Sequence, residues 1–162
     1  MYWEHKFDTT TRIRSEGCRL SMHVFTPLYV TEDMLAKKVT MDEAFETSDI
    51  IILQSPLTSE TYHLLNDAAF MKMRRKPMIV NTARGDLIDT DALERALQKG
   101  CISGAGLDVV EGHSAINADF CLSKYENIIL TPHSAWVSED SLILLQQLAA
   151  DELARIIKGV PV

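Results

Sequence analysis

Short apolar runs, each followed by a helical pattern, are the feature that most constrains the fold of this chain. We predict strands at residues 19–25, 49–53, 78–82, 102–109 and 127–131. The run at 49–53 is almost wholly apolar and β-branched, which is typical of a strand covered on both faces of a sheet. Such strands alternating with helices predict an α/β fold with a doubly wound parallel sheet, of the Rossmann-like class.

Helix boundaries are marked most clearly between the third and fourth predicted strands. Asp89 heads a run of N-cap residues, and Gly100 supplies the stop for the helix that follows. Further helices are predicted at Met41–Thr47, at residues 66–73 and from Ser138 to Gly159. With no repeat or Pro/Gly-rich linker between these elements, the chain is expected to form one domain.

Composition narrows the classes of function. The 162 residues carry a formal charge of −7, which argues against binding nucleic acid or an anionic membrane surface. No apolar run is long enough to span a bilayer and the first residues lack a signal-peptide core, so a cytoplasmic location is expected. The 3 cysteines have no paired spacing and are expected to be reduced thiols, with no metal site.

The ends of the predicted strands carry polar side chains. In doubly wound sheets, ligands bind at the carboxyl ends of the strands. Polar loop residues at one strand end would be ordinary, but four such ends together favour a site. The residues concerned are Gln54, Ser55, Thr82, Arg84, Asp108, Thr131 and His133.

Four segments also resemble one known family, the D-isomer-specific 2-hydroxyacid dehydrogenases. They lie at residues 55–61, 80–89, 104–109 and 130–136, in the family's order and spacing. The last segment, Thr-Pro-His-Ser-Ala-Trp at 131–136, is most similar to the glycerate-dehydrogenase and corepressor branches. The resemblance implies that residues 17–162 form a partial dinucleotide-binding domain including the C-terminal helix, and that residues 1–16 are an atypical N-terminal segment.

The resemblance implies catalytic and cofactor-binding roles that agree with the chemistry of the side chains. Arg84 would hold the carboxylate of a 2-keto acid through paired hydrogen bonds. His133 would exchange a proton with the substrate oxygen, because imidazole titrates near neutrality. Asp108 would orient the nicotinamide of the cofactor. The remaining cofactor contacts implied by the family are Pro56, Thr58, Thr61, Thr82 and Ala83.

The sequence departs from the family next to Asp108. The family has a glutamate five residues later, which hydrogen-bonds the catalytic histidine, and this chain has His113 there. Two imidazoles side by side would disfavour each other's protonated form. Glu111 could stand in for that glutamate, or a local deletion could have shifted the register. With His113 in place we expect weak activity, which His113→Glu would increase.

Two further departures affect the cofactor. The family's first strand and glycine-rich turn, Gly-x-Gly-x-x-Gly, are expected before Gly17 and are not found there, and the substrate domain is missing as well. After the first predicted strand, Thr26 stands where the family has an aspartate that binds the adenosine ribose. NAD is therefore the default cofactor, and NADP is not excluded.

These observations leave three interpretations open. The first is an oxidoreductase, or a fragment of one, that transfers hydride between NAD(P)(H) and a small 2-hydroxy or 2-keto acid. The second is a non-catalytic module that senses a dinucleotide or binds a protein, and the third is an inactive truncated remnant. A homodimer is plausible by the resemblance.

Overall fold

The computed structural model of the chain describes residues 22–24, 36–112 and 120–159. It divides into two compact units, residues 1–44 and residues 45–162. In the first unit, strands β1 (Met22–Val24) and β2 (Ala36–Lys38) pair in parallel. β1 lies inside the strand predicted at 19–25. β2 was not predicted, because a 3-residue strand with two lysines has no apolar run.

The second unit is built on a parallel sheet of 4 strands in the order β3-β4-β5-β6. The parallel pairing confirms the predicted α/β class. Each observed strand falls within a predicted one, and β5 is the most shortened relative to its prediction. The strands are β3 (Ile50–Leu53), β4 (Met78–Asn81), β5 (Gly104–Leu107) and β6 (Ile128–Leu130).

One face of this sheet is buried, and the other carries several exposed side chains among the described residues. Ile79 and Ala105, which are register partners, are buried. On the opposite face Ile50 and Ile52 are 52% and 53% exposed. The sequence predicted strands covered on both faces, whereas alternate β3 side chains lie in the open here.

Helices α1 (Met41–Thr47), α2 (Asp67–Lys72) and α3 (Thr90–Gln98) were all predicted. The Asp89 carboxylate accepts a hydrogen bond from the Ala92 amide at 3.0 Å, which confirms the predicted N-cap of α3. Gly100, at φ +65°, follows the end of α3 as expected. α2 and α3 contribute most of the helical part of the core through Ala69, Phe70, Ala92, Leu93, Ala96 and Leu97.

Helix α4 (Glu139–Ile157) is the longest element, and it begins at the N-cap Ser138. The Ser138 hydroxyl accepts from the Ser141 amide at 3.1 Å, and Gly159 follows at φ +66°. None of its residues is buried. In the part of the chain that the structure describes, no helix has the length and apolar character needed to cross a membrane.

Candidate active site

The parallel sheet brings three of the predicted site residues to one edge. Arg84 follows β4, Asp108 directly follows β5, and His133 follows β6. β5 lies between β4 and β6, and neighbouring strands are about 4.8 Å apart, so the ends of β4 and β6 are separated by about 10 Å. That spacing suits a small ligand held between the Arg84 and His133 segments.

Asp108 organises the segment that carries His133. Its carboxylate is buried and accepts hydrogen bonds from Thr131 Oγ1 at 2.5 Å, from the Ser134 amide at 2.8 Å and from the Ala135 amide at 2.9 Å. Burial raises the pKa of Asp108, but the three hydrogen bonds and the charge of His133 outweigh it, so this pKa lies below its ordinary value. Asp108 is therefore an ionised anchor for the turn after β6.

His133 is held through its backbone and exposes its side chain. Its amide donates to the Asp108 carbonyl at 3.0 Å, and its carbonyl accepts from Trp136 Nε1 at 2.9 Å. Its φ is +54°, in the left-handed region that non-glycine residues rarely adopt. Such a conformation costs about 1–2 kcal/mol and persists only where surrounding contacts impose it. These contacts present the imidazole at the edge of the sheet.

Arg84 is exposed, and a buried asparagine shapes the turn before it. Asn81 is fully buried at the end of β4. Its amide nitrogen donates to the Arg84 carbonyl at 2.8 Å, and its oxygen accepts from the Ala83 amide at 3.0 Å. The Arg84 guanidinium donates only to the neighbouring Ala83 carbonyl, at 2.6 Å, among the described residues. In the part of the chain that the structure describes, the guanidinium thus has no carboxylate partner, and it could bind an anion.

The turn after β3 is closed by its own threonines. Thr61 Oγ1 donates to the Pro56 carbonyl at 2.7 Å and accepts from the Thr58 amide at 2.8 Å. Beside this turn, the buried hydroxyl of Ser55 has no hydrogen-bond partner among the described residues. A buried hydroxyl without a partner is costly. A polar ligand group at this end of the sheet would satisfy it.

The structure places the other predicted site residues in different ways. Thr82 is exposed and Ala83 is half-buried, both in the turn that leads to Arg84. Glu111 contacts His63 and the Thr90 amide, and no described contact joins its carboxylate to His133. Thr26 and His113 lie outside the described residues.

Sequence reasoning missed two residues that shape the site, Asn81 and His63, whereas Thr131 was among the strand-end residues selected. Asn81 lies in a recognised segment and bonds the turn directly after it. His63 lies just after another recognised segment, and its partner Glu111 is 48 residues away. The only available signal was that polar side chains sit next to apolar strands at positions expected to be buried. Asn81 at the last position of β4 is the clearest example.

Together these features define a Rossmann-like α/β domain in which an exposed arginine and a histidine anchored by an aspartate lie at the carboxyl ends of the strands. The family model described as "D-isomer specific 2-hydroxyacid dehydrogenase, NAD binding domain" matches residues 9–135. The chain belongs to the D-isomer-specific 2-hydroxyacid dehydrogenase family. The resemblance inferred from the four segments is thereby confirmed.

Named relatives agree with this assignment. A glyoxylate reductase of Thermofilum pendens is 40% identical over 119 residues, covering 74% of this chain and 35% of the relative. The structure of D-lactate dehydrogenase from Aquifex aeolicus, complexed with NAD and lactic acid, superposes with a TM-score of 0.77 at 30% identity. It is matched over 87% of this chain and 47% of that one. A glyoxylate reductase from Paecilomyes thermophila gives a TM-score of 0.81 at 29% identity, over 91% of this chain and 44% of that one. The chain thus spans less than half the length of these relatives.

Proposed function

We propose that this chain provides the NAD-binding part and the catalytic arginine and histidine of a dehydrogenase that interconverts small 2-keto and 2-hydroxy acids. The observation that carries the proposal is the anchoring of His133 by Asp108 at the same sheet edge as the exposed side chain of Arg84. The similarity to glyoxylate reductases and D-lactate dehydrogenases supports the substrate class.

Arg84 has the chemistry to bind the substrate. A guanidinium can bind a carboxylate through two parallel hydrogen bonds and can polarise the adjacent keto oxygen. No carboxylate among the described residues occupies the guanidinium of Arg84. Because the Asn81 side chain fixes the backbone on both sides of the turn, the direction of the Arg84 side chain is restricted before a ligand binds.

His133 has the chemistry to exchange the proton. In reduction it would protonate the substrate oxygen, and in oxidation it would accept the same proton. The Asp108 carboxylate is held ionised by its hydrogen bonds. No described side chain hydrogen-bonds the imidazole ring, so Asp108 acts on it by positioning the turn that carries it.

The cofactor site fits the described residues at one end. When bound, NAD(H) supplies the hydride. The Ser55 hydroxyl is buried and has no partner among the residues described, and Ser55 would line the adenosine side together with Pro56 and Thr61. Thr82 and Ala83 would line the nicotinamide side. Besides anchoring the His133 segment, Asp108 would orient the nicotinamide. It would do so with the carboxylate lone pairs that its three hydrogen bonds do not use. NADP is an alternative cofactor that a parallel titration would detect.

The test is a fluorescence titration of the purified chain with NADH, followed by addition of glyoxylate or hydroxypyruvate. We expect NADH to bind and then to be oxidised, and Arg84→Ala to reduce the oxidation rate by about a hundredfold. Arg75→Ala is the matched control, because Arg75 is another arginine with an exposed side chain, whose partner is Asp49. Equal loss in both variants would contradict the assigned role of Arg84.

The alternative function is a non-catalytic module that senses a dinucleotide or binds a protein. It is favoured by one observation, the pairing of Glu111 with His63 instead of with His133. Binding of NADH without oxidation would support this module, and absence of both would support an inactive remnant.

Assembly and location are also proposed by family resemblance and composition. We propose a homodimer, which sedimentation velocity would detect as a species of twice the 18.2 kDa chain mass. A cytoplasmic location agrees with the odd number of cysteines, because disulfides are rare in that compartment.

A further inference from the structure

His63 lies between two carboxylates. Its Nε2 is 2.6 Å from Glu111 Oε1, and its Nδ1 is 3.9 Å from Asp89 Oδ2. The Tyr62 ring stacks on the imidazole with centroids 3.9 Å apart and planes 15° apart. The His63 and Glu111 side chains are each only 26% exposed, so water screens this contact less than it does the surface ion pairs.

Glu111 uses its second oxygen to hold another segment. Oε2 accepts a hydrogen bond at 3.1 Å from the amide of Thr90, the first residue of α3. An acidic group at a helix N-terminus is also favoured by the helix dipole. Burial raises the pKa of Glu111, but the hydrogen bonds from Thr90 and His63 outweigh it, so this pKa lies below its ordinary value. One ionised carboxylate thus joins the turn after β3, the start of α3 and the segment that follows Asp108.

The backbone brings the same three segments together. The His63 amide donates to the Asp86 carbonyl at 2.9 Å, so the turn after β3 lies along the segment that follows Arg84. Gly85 is packed so tightly on the segment after β5 that a Cβ there would lie 2.2 Å from the carbonyl carbon of Val110. Backbone contacts thus join the segment after Arg84 to the segment after Asp108, and the side chains of Glu111 and His63 add further contacts between these segments.

We propose that Glu111 and His63 are positioning residues that fix the Arg84 turn relative to the Asp108–His133 segment. This inference rests on the proposed function for its catalytic consequence. Glu111 acts on the reaction by holding Gly85 and Val110 in contact, since its carboxylate is engaged by His63 and by α3. Loosening this contact shifts Arg84 while leaving the turn at residues 56–61 intact, because that turn is closed by its own threonines.

The experiment compares the wild-type chain with Glu111→Ala, Glu111→Gln, His63→Ala and the control Asp49→Asn. The control replaces the Asp49 carboxylate, which pairs with Arg75. That ion pair does not join the strand ends. Amide hydrogen exchange is measured without ligand for residues 84–90 and 108–112. Affinities are then measured for NADH and, in its presence, for oxamate, a non-reducible analogue of a 2-keto acid.

We expect exchange to rise in both segments together in Glu111→Ala, and oxamate affinity to fall about tenfold while NADH affinity changes less than about twofold. Glu111→Gln keeps an acceptor for the Thr90 amide and is expected to restore part of the protection. Unchanged exchange in these segments, or equal losses of NADH and oxamate affinity, would overturn the proposal. If the wild type binds neither ligand, the proposed function fails, and hydrogen exchange alone then decides whether Glu111 joins the segments.

Discussion

Asp108 accepts three hydrogen bonds from the segment that carries His133, and its own amide continues the sheet by donating to the Asn81 carbonyl at 2.9 Å. Two of its donors are backbone amides, Ser134 and Ala135, which lie just beyond the left-handed His133. A carboxylate is suited to this position because both of its oxygens are acceptors. At the scale of single residues, the exposure of the imidazole depends on this buried acid.

Asp108→Asn tests that dependence. We expect it to lower the free energy of unfolding by about 1–3 kcal/mol, because the asparagine NH₂ would face a donor where the aspartate has an acceptor. Thr131→Val removes one hydrogen bond and is expected to cost about 1 kcal/mol. Urea denaturation measures both losses. An Asp108→Asn variant as stable as wild type would contradict the anchoring role.

The lowered pKa values of Asp108 and Glu111 predict how stability depends on pH. A carboxyl whose pKa is lower in the folded than in the unfolded state stabilises the fold above its unfolded value, about 3.9 for Asp and 4.3 for Glu. That contribution is lost as the pH falls through the folded value. We therefore expect the urea midpoint to decrease from about pH 5 downward. Asp108→Asn with Glu111→Gln should flatten this decrease, and an unchanged slope would contradict the assignment.

Arg84, Asp108 and His133 could be selected from the sequence because each follows an apolar run, and a parallel sheet must bring such positions to one edge. The contacts that orient these three side chains could not be predicted from the sequence. Asp108 and Glu111 act through partners that are distant in sequence, 48 residues away in the hydrogen bond between His63 and Glu111. Distances of that kind depend on the register of the strands and the packing of the turns, which apolar patterns do not encode.

The segments after β4 and β5 meet at Gly85, the first residue of the 3₁₀ helix Gly85–Leu87. A Cβ on Gly85 would overlap the Val110 carbonyl at 2.2 Å. Gly106, within β5, has no heavy atom within 4 Å of a built Cβ. At the scale of elements, Gly85 is thus required for the segments after β4 and β5 to approach each other, and Gly106 is not.

Gly85→Ala is therefore expected to lower the free energy of unfolding by about 1–3 kcal/mol, because the backbone of Val110 must move to admit a methyl group. Gly106→Ala adds the same methyl group where space is free, and we expect it to change stability by less than about 0.5 kcal/mol. Thermal or urea unfolding of both variants measures the difference. Similar losses in the two variants would show that the contact with Val110 is not what constrains Gly85.

The elements themselves were largely predictable, and the exceptions have a physical cause. The caps of α3 and α4 were identified from Asp89 and Ser138, since capping is a local interaction. Strand β2 was missed because Ala36–Lys38 has no apolar run, so its pairing with β1 is a long-range effect. The apolar run at 49–53 predicted a strand covered on both faces. The exposure of Ile50 and Ile52 depends instead on which other elements pack on that face of the sheet.

At the scale of the whole molecule, apolar surface is distributed unevenly. The core gathers on the buried face of the sheet with α2 and α3, where Leu93 is 1% exposed. Along α4, by contrast, Leu145 and Leu148 are 56% and 57% exposed.

Matched truncations of leucine test this uneven distribution. We expect Leu93→Ala to lower the free energy of unfolding by about 2–5 kcal/mol, because the methyl groups it removes are buried and leave a cavity. Leu148→Ala removes the same atoms from a side chain that is more than half exposed, and its cost should be about 0.5 kcal/mol or less. Urea denaturation at low protein concentration measures both, and sedimentation velocity checks that the chain is in the same state of assembly. A large loss for Leu148→Ala would contradict the exposed position of α4, because a half-exposed leucine has few contacts to lose.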